Sequence, residues 1–340
     1  MNNSQRLQSD QQLGLDHLSN MLRFVVLAVA LCHVSFAQQT SDQKTLIETV
    51  NKNTNQWVAG PYPVPVTFFK TGVKKQNGTK TLPISSSHFL RQANLDIPEE
   101  FDARTHWPNC TSIGDVRDQG CCGSASVVAS VSVMSDRWCV NSPTKDNFNF
   151  GEFELLCRKR GREKVCNGAD TNDVWHYWIE KGLGSGAPYG QKGACHSYPF
   201  TTCNGFEEPK EPYCVNLCRD RRYGRSLYGI WHSEEAIKAE ILRHGPVLAS
   251  FNVYADFSSY KTGVYKRVTG AISGTHLLRI IGWGVEDGVK YWLAANSWGA
   301  NWGIGGFVKF ARGSNECGIE SNVIAGLPDY ERHERSNSSY

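Results

Sequence analysis

The sequence predicts an α+β protein whose helices and strands are segregated into two lobes. Three observations carry this expectation. Ser124–Val140 is a run of small and apolar residues without glycine or proline, which suits a long buried helix. Strand-like segments crowd the C-terminal third, after Gly245-Pro246. Between these regions lies a stretch rich in cysteine, glycine and proline, ending at Cys218, that must form loops held by bridges. Helices followed by strands pack as α+β rather than as alternating units. A chain of 340 residues has room for such a domain and an N-terminal extension.

At the N-terminus, Phe24–Ala37 reads FVVLAVALCHVSFA after Arg23, and ends on small-x-small at Ser35-Phe36-Ala37. That is the layout of a signal peptide, expected over residues 1–37, with Met21 as an alternative start. An uncleaved anchor is the competing reading, but His33 interrupts a run already shorter than the ~20 residues of a membrane span. Residues 38–96 are polar, with a helix-like patch at Thr45–Val50 and breaks at Pro61, Pro63 and Pro65. They read as a pro-region ending in an exposed linker.

From Ile97 the character changes. After the helix at Ser124–Val140, Asp173–Lys181 suits a shorter one. Glu234–His244 has a helical pattern stopped by Gly245-Pro246. Strands are expected at Val247–Val253, His276–Val285, Lys290–Ala295 and Gly306–Phe310. The charged tail, 329–340, is expected to be disordered.

The formal net charge of +3 gives no reason to expect a nucleic-acid partner. Of twelve cysteines, Cys32 falls in the signal and eleven follow it. In an exported chain these read as a disulfide framework with at least one thiol left over. Zinc competes weakly, because no paired C-x-x-C sites with histidine partners are present. Asn77, Asn109 and Asn337 head glycosylation sequons, with Asn77 and Asn109 the candidate acceptors.

Several blocks then resemble one family in the correct order. Ile97–Arg104 with Trp107-Pro108, Val116–Ser124, Cys166-Asn167-Gly168, Gly274-Thr275-His276, Ile281–Gly284, Asn296–Gly299 and Cys317–Ser321 resemble the papain-family cysteine proteases of cathepsin B type. The resemblance spans about 97–328, with a weaker echo at Trp57 and Ala59-Gly60. It implies the papain-like two-lobe fold: a helical left lobe, a β-barrel-like right lobe and a V-shaped cleft. The family's chemistry uses a cysteine thiolate at a helix N-terminus, its pKa lowered by the dipole and an imidazolium. An asparagine orients the imidazole, and a glutamine amide stabilises the oxyanion. By resemblance His276, Asn296 and Gln119 hold these catalytic roles, and Trp298 covers the His–Asn pair.

The nucleophile position does not match. The family reads Cys-Gly-Ser-Cys-Trp, whereas this chain reads Cys122-Gly123-Ser124-Ala125-Ser126. A methyl group forms no thiolate and no acyl-enzyme, and loss of a triad nucleophile costs on the order of 10⁶ in rate in subtilisin. Ser124 and Ser126 are each turned about 100° from Ala125 on a helix. Cys121 and Cys122 lie earlier, on the preceding loop. The expectation is a catalytically inactive homologue; the rival is an active endopeptidase using a displaced cysteine.

Other positions follow the resemblance. Gly168 and Ala169 stand at the substrate wall, where Ala169 adds a methyl to the family's second glycine. Asn322 replaces an acidic residue of the main specificity pocket, which argues against a basic side chain there. Cys195–Cys218 matches the occluding loop, but Cys203-Asn204-Gly205-Phe206 stands where a histidine pair is expected, so dipeptide trimming is not expected. The implied bridges are Cys110–Cys139, Cys122–Cys166, Cys157–Cys214 and Cys195–Cys218. Cys121, Cys203 and Cys317 remain, with Cys317 a buried free thiol and Cys121–Cys203 an extra pair near the cleft. No cofactor or metal is implied. The partners are peptides or protein protease inhibitors in the cleft. Two basic runs, Arg158–Lys164 and Arg219–Arg225, are either solvated loop charge or a patch for sulfated glycans or matrix. Localisation is secreted or extracellular, with lysosome open.

Overall fold

The computed structural model describes residues 41–62, 71–73, 82–83, 95–157, 166–203, 209–210, 212–214 and 218–337. The expected signal peptide, Asn77, Arg158–Lys164 and Asn204-Gly205-Phe206 lie outside these residues. The chain divides into two compact units, 1–46 and 47–340. Of the first, residues 41–46 are described and helical; in the second, residues 47–53 are helical.

Element order in the larger unit begins with β1 (Trp57–Ala59), β2 (Phe101–Asp102) and α1 (Ala103–His106). The central helix α2 spans Ala125–Asn141, followed by α3 (Phe153–Cys157) and α4 (Thr171–Lys181). Short strands β3 (Gly186–Ala187), β4 (His196–Ser197) and β5 (Tyr228–Gly229) precede α5 (Glu234–His244). Then come β6 (Val247–Tyr254), β7 (Tyr260–Tyr265), β8 (Ile272–Glu286), β9 (Val289–Ala295), β10 (Phe307–Ala311), β11 (Val323–Ala325) and α6 (Tyr330–Asn337). The sequence-read helices and strands appear within a few residues of their expected ends.

The larger sheet runs β1-β7-β10-β9-β8-β6-β11-β5, with β2 paired on β8. It is mixed, because β10 pairs with β7 in parallel and with β9 antiparallel. β8 and β9 form a hairpin through Asp287-Gly288, both with positive φ (49° and 77°), the conformation that favours an Asp-Gly turn. Its register pairs Arg279 with Ala295 and so carries the following residue, Asn296, toward the end of β8 that holds His276.

α2 packs on β8 and α4 and is buried through Val140, so its polar residues need internal partners. Asp136 accepts from Ser112 Oγ at 2.7 Å and pairs with Arg279 at 2.9 Å. Arg137 donates to Gly326 O, Gly245 O and Tyr228 Oη, and pairs with Glu240 at 2.6 Å. Trp138, Phe150, Trp175 and Trp178 fill the space between α2 and α4.

Two expectations need correction. The tail from 329 is not disordered throughout: it forms α6. Asp329 caps it, accepting from Arg332 N at 3.0 Å. The Tyr330 ring lies 4.4 Å from that of Trp138, and its hydroxyl donates to Trp138 O. Arg332 reaches Ile179 O at 2.9 Å. An aromatic anchor at the start of the tail explains its order. Cys317, expected buried, is free but only partly buried.

Candidate active site

The site is assembled where the start of α2 meets the sheet. Ser124 caps α2 through its carbonyl, which accepts from Val127 N and Val128 N. Its side chain is used elsewhere, 2.8 Å from Tyr198 Oη, which in turn donates to Gln119 O at 2.9 Å. Ala125 is the first residue of α2 and is fully buried. Ser126, also fully buried, points its hydroxyl at Gly72 O and at Ala169 O, 2.9 Å away.

The sheet supplies the imidazole. His276 Nε2 lies 2.8 Å from Asn296 Oδ1, and Ser297 N donates to that same oxygen at 2.8 Å. Trp298 stacks on His276 with ring centroids 4.8 Å apart. Asn296 Oδ1 is an acceptor, so Nε2 carries the proton and Nδ1 presents a lone pair. Among the described residues His276 Nδ1 has no hydrogen-bond partner, although the residue is fully buried. Burial pushes the His276 pKa down to about 4, against the opposing effect of the Asn296 hydrogen bond. So weakened an imidazole is a poor proton acceptor at neutral pH.

Gln119 belongs to the same cluster. Its amide donates to Cys122 O at 2.8 Å and Thr71 O at 3.3 Å, while its oxygen accepts from Ser297 Oγ at 2.6 Å. A backbone bond from Gln119 N to Ser297 O fastens this loop to the sheet. Gly168 (φ 82°) and Ala169 form the adjoining wall, where Gly123 and Asn167 are bridged. Asn322 is exposed on the surface, and its carbonyl accepts from Ser250 N on β6.

The cysteines form five bridges: Cys110–Cys139, Cys121–Cys203, Cys122–Cys166, Cys157–Cys214 and Cys195–Cys218. Cys121 and Cys122, the sulfurs nearest Ala125 in sequence, are therefore both oxidised. Cys195, His196 and Cys218 lie close enough together to suggest a metal cluster, but two of the three sulfur and nitrogen donors are bonded to each other and leave no thiolate pair. Asn109 is exposed. Of the second basic run, Arg221 pairs with Glu154 and Arg222 with Asp146, which leaves Arg219 and Arg225 exposed.

Residues 97–327 match the family profile described as papain family cysteine protease. The chain belongs to that family. It is 36% identical over 316 residues to cathepsin B-like cysteine proteinase 6 of Caenorhabditis elegans, covering 84% of this chain and 83% of that protein. It is 38% identical over 253 residues to a cathepsin B-like cysteine proteinase of Schistosoma japonicum, covering 69% and 74%. Among solved structures, proCathepsin B S9 from Trypanosoma congolense superposes with a TM-score of 0.72 at 31% identity, covering 84% of this chain and 98% of that one. The papain-like fold, helices on a mixed sheet, is thus that of cathepsin B-like proteins.

One set of contacts at the papain-like site was not anticipated from the residues. Residues 71–73, from the polar N-terminal segment, lie directly on the cluster: Ala169 N donates to Gly72 O at 3.1 Å, and Val73 bridges Ala169 in parallel. The one available signal was Gly72 itself, a glycine between Thr71 and Val73 in a segment that otherwise reads as linker.

Proposed function

We propose that this chain is a non-catalytic cathepsin B-like protein that binds extended peptides or protein protease inhibitors in its cleft. The observation that carries the reading is the pairing of Ala125, a side chain with no nucleophilic atom, with a retained His276–Asn296–Gln119 frame. In the papain mechanism the first residue of α2 is where the attacking sulfur belongs, and no lone pair is available there. Ser124 and Ser126 spend their hydroxyls on Tyr198 and on the Gly72 and Ala169 carbonyls. Cys121 and Cys122 spend their sulfurs on Cys203 and Cys166.

In this reading residues 1–37 are a signal peptide, 38–96 a pro-region whose residues 71–73 lie over the site, and the protein is secreted or lysosomal. The polyanion role is weaker, since two cations of the Arg219–Arg225 run are already neutralised within the fold. The test is exposure of the purified chain to a thiol-directed epoxide, alongside hydrolysis of a panel of peptide substrates. Neither covalent labelling at Cys121 or Cys122 nor turnover is expected. Thiol-dependent turnover would establish the rival, an active endopeptidase.

A further inference from the structure

The segment over the site is held by its backbone. Thr71 O accepts from the Gln119 amide, and Gly72 O accepts from Ala169 N at 3.1 Å and from the Ser126 hydroxyl. A Cβ on Gly72 would lie 2.3 Å from Gly123 O and 2.9 Å from Ala125 N, both backbone atoms. The φ of Gly72, 139°, is itself one that favours glycine. The floor cannot readily give way. Gly123 is pressed against Cys166 O, where a Cβ would come within 2.3 Å, and Cys166 is tied to Cys122.

Ser126 is the hub of this contact. Ala169 N lies 3.1 Å from its oxygen, so the hydroxyl accepts from the wall while its single proton points at the carbonyls of Gly72 and Ala169. The tryptophan that the related proteases carry in the matching motif has no hydroxyl to do this. We propose that the cleft selects peptides with glycine at the residue lying over the start of α2, where the backbone of Gly123 and Ala125 leaves no room for a Cβ, and that Ser126 is the binding residue that holds that residue's carbonyl. The proposal rests on the peptide-binding reading and names its ligand class: an extended chain running parallel to the Ala169 wall, with residues 71–73 as the cis occupant. A methyl at the central residue meets the backbone of Gly123 and Ala125, and a ligand without a carbonyl there leaves the Ser126 hydroxyl with Ala169 O alone.

The test uses the full chain. Gly72→Ala should expel the cis segment, read as faster hydrogen exchange of the Ala169 amide. That variant should then bind a fluorescent peptide of sequence TFFKTGVKKQN at least tenfold more tightly than the native chain does. It should prefer that peptide at least tenfold over the same peptide with alanine in place of glycine. Adding Ser126→Ala should weaken binding of the glycine peptide about tenfold, the scale of one hydrogen bond. Equal binding of both peptides would overturn the glycine selectivity and leave the peptide-binding reading standing. Binding of neither, with the Ala169 amide released, would overturn both. Unchanged protection of that amide in Gly72→Ala would overturn the steric argument alone. Should Gly72→Ala fail to fold, Ser126→Ala by itself is expected to raise exchange at Ala169 about tenfold, and an unchanged rate would overturn the role of Ser126.

Discussion

His276 and Asn296 are held 2.8 Å apart at a fully buried site, and the opposite ring nitrogen of His276 has no partner among the described residues. The imidazole is therefore fixed in one tautomer and kept neutral.

Its pKa of about 4 in the folded chain predicts a pH dependence of stability. The unfolded imidazole titrates near 6.5. Between these values the unfolded chain binds a proton that the folded chain does not, so stability is full above about pH 6.5 and is lost as pH falls toward 4. The gap corresponds to about 3 kcal/mol at most. Urea midpoints measured from pH 7 to pH 4 should fall more steeply for the native chain than for His276→Gln. Burial also lowers the His244 pKa, but that contribution is common to both proteins and drops out of the difference. Equal slopes would mean that His276 titrates normally.

The Asp136–Arg279 pair predicts a large mutational effect. Asp136 is fully buried, and burial raises its pKa while Arg279 and Ser112 oppose that rise. Arg279 also donates to the carbonyls of Ser112, Ile113 and Asp115, joining β8 to the loop before α2. Arg279→Met leaves a carboxylate in the core without its counter-charge and should cost about 3–5 kcal/mol. The double variant Asp136→Asn/Arg279→Met should recover a good part of that loss. Equilibrium urea unfolding of the three proteins measures it, and a single-variant cost below about 1 kcal/mol would show that the carboxylate finds water or another partner.

The central helix was legible because Ser124–Val140 carries no breaker, and α5 because Gly245-Pro246 ends its helical pattern. The Ser233 side chain caps its start, accepting from Ala236 N, a contact that only the structure brought out. Strand β7 was not legible. Lys261, Thr262 and Gly263 dilute its apolar pattern, and its partners come from Trp57–Ala59 and Phe307–Ala311, both distant in sequence. The His276–Asn296 pair was legible only through family motifs, since a histidine and an asparagine twenty positions apart announce nothing by periodicity. The role of Ser126 was invisible: read alone it is a departure from a motif, and its partner Gly72 lies in a segment without a pattern.

The disulfide layout predicts the thiol chemistry. Among the described cysteines, only Cys317 is free. Burial pushes its pKa well up, and Glu316 beside it pushes in the same direction. Iodoacetamide at pH 8 without reductant should label the Cys317 peptide slowly and leave the Cys121 and Cys122 peptides unmodified, read by mass spectrometry of a non-reducing digest. Label on Cys121 or Cys122 would return a candidate nucleophile to the site.

Restoring a sulfur at the head of α2 tests whether the rest of the site is still aligned. A thiol placed there by Ala125→Cys meets the N-terminal end of a 17-residue helix, which favours a thiolate. In the papain frame it would also face the Nδ1 side of His276. The variant is expected to react with a thiol-directed epoxide at residue 125 at least tenfold faster than Cys317 reacts. Ala125→Cys/His276→Gln should lose most of that gain, because a thiolate at residue 125 would itself stabilise a protonated His276, and without that ring only the helix end lowers the thiol pKa. Residues 71–73 cover the site, so Ala125→Cys/Gly72→Ala should react faster still. If neither of the variants that keep His276 is labelled at 125, the start of α2 no longer faces the imidazole, and the site has drifted further from the protease frame than one missing sulfur.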